Sequence, residues 1–223
     1  MTLRTIGFAA LAAFATVGAA NATSVSPITG NFLTGVFNVT VSNFNAHGHA
    51  SNAAATQANI DAADVLDNFV YSGPLNFAVP NPTDEDLESI GDFFATASGT
   101  VSGLDTDIAN LRLSTPHFQT TTILTFERVI NQSFDVTAQH DDGIAIFDDG
   151  SEILAYTNPT GVRTTGPGAF DGGTFRVIYA AANGNPSVLR VTTANIAPVP
   201  LPAPAALLGM GVLGLGLLRR KSA

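Results

Sequence analysis

The 223-residue chain has no cysteine, no tryptophan and a single lysine, Lys221. Without cysteine there is no disulfide framework, no thiolate metal site and no cysteine nucleophile. Cations are scarce as well. Between residues 23 and 198 only Arg112, Arg128, Arg163, Arg176 and Arg190 stand against all eighteen carboxylates, a formal balance of −13. Such a surface repels nucleic-acid phosphates and anionic lipid headgroups, and it favours solubility and divalent cations. No glycine-rich phosphate loop and no serine nucleophile elbow is present, so no enzyme class is indicated. What the chain does have is phenylalanine: thirteen of its fifteen lie between Phe32 and Phe175, enough to build a core without disulfides.

Both ends read as export signals. Arg4 precedes an apolar stretch over 6–20, and Ala20-Asn21-Ala22 follows, the order of a secretory signal peptide over 1–22. At the other end an apolar run over 205–218 precedes Arg219-Arg220-Lys221. Fourteen residues make a helix about 21 Å long, short of a hydrocarbon core of roughly 30 Å. Glycines at 209, 211, 214 and 216 loosen it, so the segment suits a temporary anchor with its basic cluster on the cytoplasmic side. Val199-Pro200-Leu201-Pro202-Ala203, the weak transmembrane helix and the basic cluster together resemble the VPLPA-CTERM variant of the PEP-CTERM sorting signals. That resemblance implies an exosortase-type sorting protease as partner, removal of a tail over 199–223, transient anchoring in the inner membrane, and a final place at the cell surface or outside the cell.

The remaining 23–198 has the length of one domain. Residues 36–44 alternate apolar and polar, predicting a strand with Phe37, Val39 and Val41 inward. Residues 45–67 turn small and polar, with spacing for a short helix, and strands are predicted over 68–71 and 75–79 before Pro80-Asn81-Pro82. Thr83 followed by Asp84, Glu85, Asp86 and Glu88 reads as a capped helix start, with Leu87, Ile90 and Phe94 on one face. Beyond Gly103, β-rich segments over 123–129, 133–139, 144–147, 153–156, 174–179 and 188–192 alternate with Asp-Gly, Asn-Pro, Gly-Gly and Asn-Gly turns. The pattern predicts an all-β fold of antiparallel hairpins in a sandwich or barrel, with one or two short helices and helical segments at the termini.

One segment stands out. Ser133 to Gln139 leads into His140-Asp141-Asp142-Gly143, a short apolar strand, and a second Asp148-Asp149-Gly150 turn. With the later 174–179 and 188–191 segments around Asn183-Gly184, it resembles the PA14-like β-sandwich family. The resemblance implies that Asp141 and Asp142 are joined by a cis peptide and hold Ca2+, which in turn takes sugar hydroxyls. Hard cations suit such paired carboxylates. Read without the resemblance, Asp142-Gly143 and Asp149-Gly150 are ordinary hairpin turns. His47-Gly48-His49 lacks further ligands and reads as a solvated loop, and His140 has no nucleophile marked beside it. Tyr71, Tyr156 and Tyr179 are the only polar aromatics available to stack on a sugar. The expectation is a non-catalytic surface or matrix protein binding extracellular polysaccharide through Ca2+; the alternative is a structural matrix or biofilm component with no small ligand.

Overall fold

The computed structural model describes residues 32–79 and 88–196. The leader over 1–22, the Pro80-Asn81-Pro82 breaker, the Thr83 helix start and the tail with its 199–203 motif and Arg219-Arg220-Lys221 cluster lie outside the described residues. Among the described residues no helix is long and apolar enough to cross a membrane.

Among the described residues eleven strands dominate: β1 (Thr34–Phe44), β2 (Asp64–Pro74), β3 (Asn76–Val79), β4 (Thr100–Ser102), β5 (Thr121–Ile130), β6 (Phe134–Asp141), β7 (Gly143–Asp148), β8 (Ser151–Tyr156), β9 (Arg163–Phe170), β10 (Gly173–Ala181) and β11 (Ser187–Ala194). They form a seven-stranded sheet, β4-β2-β1-β5-β10-β7-β8, and a four-stranded sheet, β3-β11-β6-β9. The fold is an antiparallel β-sandwich. Its helices are short: α1 (Gln57–Ala62), α2 (Ile90–Ala95) and α3 (Thr106–Ala109), with 3-10 turns over Ala50–Ala53 and Pro116–Phe118.

Alternation decides which faces meet. In β1, Phe37, Val39 and Val41 are buried while Asn38 is exposed. From the four-stranded sheet Phe77, Val136, Ala138, Leu189 and Val191 join them in one core. Phenylalanine replaces disulfides at its centre: the Phe77 ring lies 4.7 Å from Phe93, 5.0 Å from Tyr71, 5.3 Å from Phe94 and 5.7 Å from Phe126, centroid to centroid. Phe93 and Phe94 arrive on α2. This helix starts after Ser89, its N-cap, which is extended and closes a capping box with Asp92. The Ser89 hydroxyl accepts from the Asp92 N–H at 3.0 Å, and the Asp92 carboxylate accepts from the Ser89 N–H at 3.1 Å. Ser89→Ala is expected to cost about 1 kcal/mol in urea unfolding, the usual worth of such a cap.

The expected run of hairpins is corrected by the topology. Only β7 and β8 make a hairpin among the strands from β5 onward, with Asp149 (φ 43) and Gly150 (φ 84) both left-handed as a two-residue turn requires. Otherwise the chain passes from one sheet to the other: β5 to β6, β6 to β7, β8 to β9, β9 to β10 and β10 to β11. The connections at 142, 157–162 and 182–186 therefore gather at one end of the sandwich. The 131–133, 149–150 and 171–172 connections lie at the opposite end.

Candidate functional site

Asp141 is the last residue of β6, paired with Val188, and Gly143 opens β7, paired with Ala180. Asp142 thus sits on the step from one sheet to the other and not in a hairpin. The peptide between Asp141 and Asp142 is cis, as are Gly166-Pro167 and Asn185-Pro186. Both aspartates are nearly closed off from solvent, at 6% and 5% exposure. Asp142 ties the three crossovers together: one carboxylate oxygen accepts from the Thr160 N–H at 3.1 Å, the other from the Ala182 N–H at 2.7 Å. The Asp141 carboxylate accepts from the Val162 N–H.

The main chain of the pair is held from below. The Tyr179 hydroxyl donates to the Asp141 carbonyl. His140, fully buried, contacts the Asp142 carbonyl through Nδ1 at 2.5 Å and Thr165 Oγ1 through Nε2 at 2.8 Å. A carbonyl only accepts, so Nδ1 carries the proton and Nε2 receives the threonine hydroxyl. Burial holds the His140 pKa below its ordinary value, against the pull of that carbonyl bond. With both nitrogens engaged, His140 positions the pair.

Electrostatically the site is under pressure. Burial pushes the Asp142 carboxyl up to about 7 and Asp141 up to about 6. What offsets burial is N–H donation from Ala182, Thr160 and Val162, with no cationic side chain among the contributions. Beside them opens a cleft of about 310 Å³, walled by Pro159, Thr160 and Gly161 from one crossover, by Ala182, Asn183, Gly184 and Asn185 from another, and by Phe118. The second wall is fixed by Ser114: the Gly184 N–H donates to its hydroxyl at 3.0 Å, and that hydroxyl donates to the Gly184 carbonyl at 3.4 Å. Asn183 Oδ1 accepts from the His117 N–H at 2.9 Å.

The donor set is all oxygen and hard, which suits Ca2+ better than a transition metal. Among the described residues no group of three or more His, Asp or Glu side chains gathers around an ion position. Two carboxylates and neighbouring amide or carbonyl oxygens would hold Ca2+ with coordination positions left over.

The other sequence signals fall elsewhere. Asp148 and Asp149 lie across β7, a six-residue strand of about 20 Å. Their carboxylates strap the next crossover, accepting from the Asp171 N–H at 2.8 Å and the Thr174 N–H at 2.7 Å. His47 and His49 are exposed in their loop. Of the tyrosines, Tyr71 and Tyr179 are fully buried, and the Tyr156 ring is covered by the Arg163 guanidinium at 3.7 Å. The aromatic residue in the cleft is Phe118, which the sequence reading passed over because nothing local marks it.

No family model matches the chain, and no curated protein matches it. Among solved structures it is similar to a PA14 sugar-binding domain from an RTX adhesin, with 14% identity, a TM-score of 0.43, and 70% of this chain and 88% of that one covered. It is likewise similar to the PA14 domain of the MpAFP antifreeze protein, with 15% identity, a TM-score of 0.43, and 76% and 85% covered.

Proposed function

We propose that this protein is exported, passes through a sorting step that removes its C-terminal tail, and works at the cell surface or in the extracellular matrix as a non-catalytic, Ca2+-dependent binder of polysaccharide. The leader, the 199–203 motif and the terminal basic cluster motivate the location. One observation carries the ligand: two adjacent carboxylates, each nearly buried, line an open cleft with only N–H donors to offset them.

Isolated charges in such a place are costly, and a divalent cation removes the cost. Ca2+, when bound, would offer its remaining positions to vicinal hydroxyls. Asp141 and Asp142 would hold it, and the Asn183 to Asn185 turn adds oxygen donors on the same wall. Tyr179, His140 and Ser114 keep these parts in place through the bonds described above. The acidic surface suits a neutral or cation-bridged glycan better than a nucleic acid or an anionic membrane.

A glycan array probed with and without Ca2+ tests the reading. Signal should appear with Ca2+, vanish with chelator, and drop at least about tenfold in Asp141→Asn with Asp142→Asn, a change of about 1.4 kcal/mol or more. Equal signal in all three conditions removes the calcium-sugar mechanism. Calorimetry with no Ca2+ uptake, together with a matrix defect on deletion, selects a structural role without a small ligand.

A further inference from the structure

We propose that Phe118 is the specificity-determining residue of this cleft, an aromatic platform that takes the apolar C–H face of a single pyranose ring. The inference rests on the calcium-sugar reading and deepens it by naming the ligand class.

Three observations bear on Phe118. It lies in the same cleft as Asp141 and Asp142. It is only partly buried, packing on the small cluster Ala46, Ala53 and Ala182 and lining the cleft. Among the described residues no other ring or guanidinium stacks on it. Tyr156, by contrast, is already occupied by Arg163 at 3.7 Å.

The backbone holds the ring there at some conformational cost. His117 (φ 62) and Phe118 (φ 56) are both left-handed, a region that non-glycine residues seldom occupy. The Pro116–Phe118 turn is pinned on both sides. The His117 N–H reaches Asn183 at 2.9 Å, and Thr115 and Thr120 close the loop through the Thr120 N–H to Thr115 Oγ1 bond at 2.8 Å. The same Asn183 turn lines the cleft, so Phe118 and that wall are set relative to each other.

The chemistry then selects a ligand. A pyranose presents two faces of different character: hydroxyls at the edge, which suit a cation held by Asp141 and Asp142, and ring C–H groups, which suit an aromatic face. A linear polyol offers the hydroxyls without the C–H face. The cleft, about 310 Å³, lies at the small end of small-molecule sites and fits one ring of a glycan terminus better than a chain.

Competition against the best array glycan, in Ca2+, with methyl pyranosides of glucose, galactose, mannose and fucose and with sorbitol tests this. The wild-type protein should prefer its best pyranoside to sorbitol by about tenfold, and Phe118→Ala should bring that ratio close to one. Phe118→Leu keeps the contact with Ala46, Ala53 and Ala182 and should lose the preference too, whereas Phe118→Trp should keep it. Ca2+ titrated alone should bind all four proteins alike. An unchanged ratio in Phe118→Ala and Phe118→Leu overturns the platform and leaves the calcium-sugar reading standing. Weaker Ca2+ binding in Phe118→Leu makes the residue structural and also overturns it. A wild-type protein that takes up Ca2+ but no sugar overturns both.

Discussion

With divalent ions chelated, the protein is expected to lose stability as the pH rises from about 4 to about 7. Burial raises the folded-state pKa of Asp141 to about 6 and of Asp142 to about 7, against an ordinary value near 3.8. The folded state then holds more protons than the unfolded state between those values, so stability falls with pH, by at most about 1.4 kcal/mol per pH unit for each carboxyl. The stabilisation is complete below about 4 and lost as the pH passes each folded pKa. Glu88, pushed up to about 7 by burial and by Asp92, acts in the same direction. His140 acts in the opposite one, because its folded pKa is lowered and neutral imidazole is favoured as the pH approaches its ordinary 6.5. Three carboxyls outweigh one imidazole, so the net slope is negative. Urea midpoints measured from about pH 4 to 8 in chelator give the slope directly. Asp141→Asn with Asp142→Asn should flatten it, leaving Glu88 and His140 to oppose each other. The slope is the readout, because replacing Asp142 also leaves an N–H of Ala182 or Thr160 without its acceptor and lowers stability at every pH. Ca2+ should reverse the trend. It binds the ionised pair, so at about one hundred times Kd it adds about 2.7 kcal/mol near neutrality and little at acid pH. A rise of stability with pH in chelator would mean that the pair is already compensated within the fold.

How much of this could be read from the chain follows from the range of each signal. Period-two alternation is local, so β1 and its inward Phe37, Val39 and Val41 were legible, as were β5, β6, β7, β10 and β11. β9 was not, because Arg-Thr-Thr-Gly-Pro-Gly-Ala-Phe carries two glycines and a proline that read as a loop. It survives as an edge strand, where a missing donor is tolerated. Turn chemistry was legible too, but Asp142-Gly143 and Asp149-Gly150 look alike in sequence. One steps between sheets and the other closes a hairpin, and which occurs depends on partners far along the chain. The aspartate pair could be named because its members are adjacent. The rest of its cleft comes from Thr160, Asn183 and Phe118, brought near by crossovers that no short window contains. The places of the tyrosines were illegible for a related reason. Composition counts rings but does not show that Tyr71 donates to the Pro74 carbonyl and Tyr179 to that of Asp141, which accounts for both as core residues.

Those two look-alike turns also give the sharpest mutational contrast, because their glycines are needed for different reasons. A Cβ on Gly143 would lie 2.1 Å from the Thr157 carbonyl oxygen and 2.9 Å from its carbon, with the Ala55 Cβ at 3.3 Å. The obstacle is main chain that already accepts from the Ala55 N–H at 2.8 Å, so it has little room to yield. Gly143→Ala is expected to cost about 1–3 kcal/mol, the usual range for overpacking, or somewhat more. The displaced segment is the one that carries Thr160, whose N–H holds Asp142, so Ca2+ affinity should fall with stability. Gly150 has open space around it and a φ of +84, so Gly150→Ala meets only backbone strain of about 1–2 kcal/mol. That strain sits at the far end of β7, and Ca2+ affinity should stay at the wild-type value. Thermal unfolding and calorimetry on both variants separate the two effects. If the pair of carboxylates depends on the crossover packed around Gly143, the two variants will share a loss of stability and differ in Ca2+ binding. Equal affinities would place the ion away from Asp142.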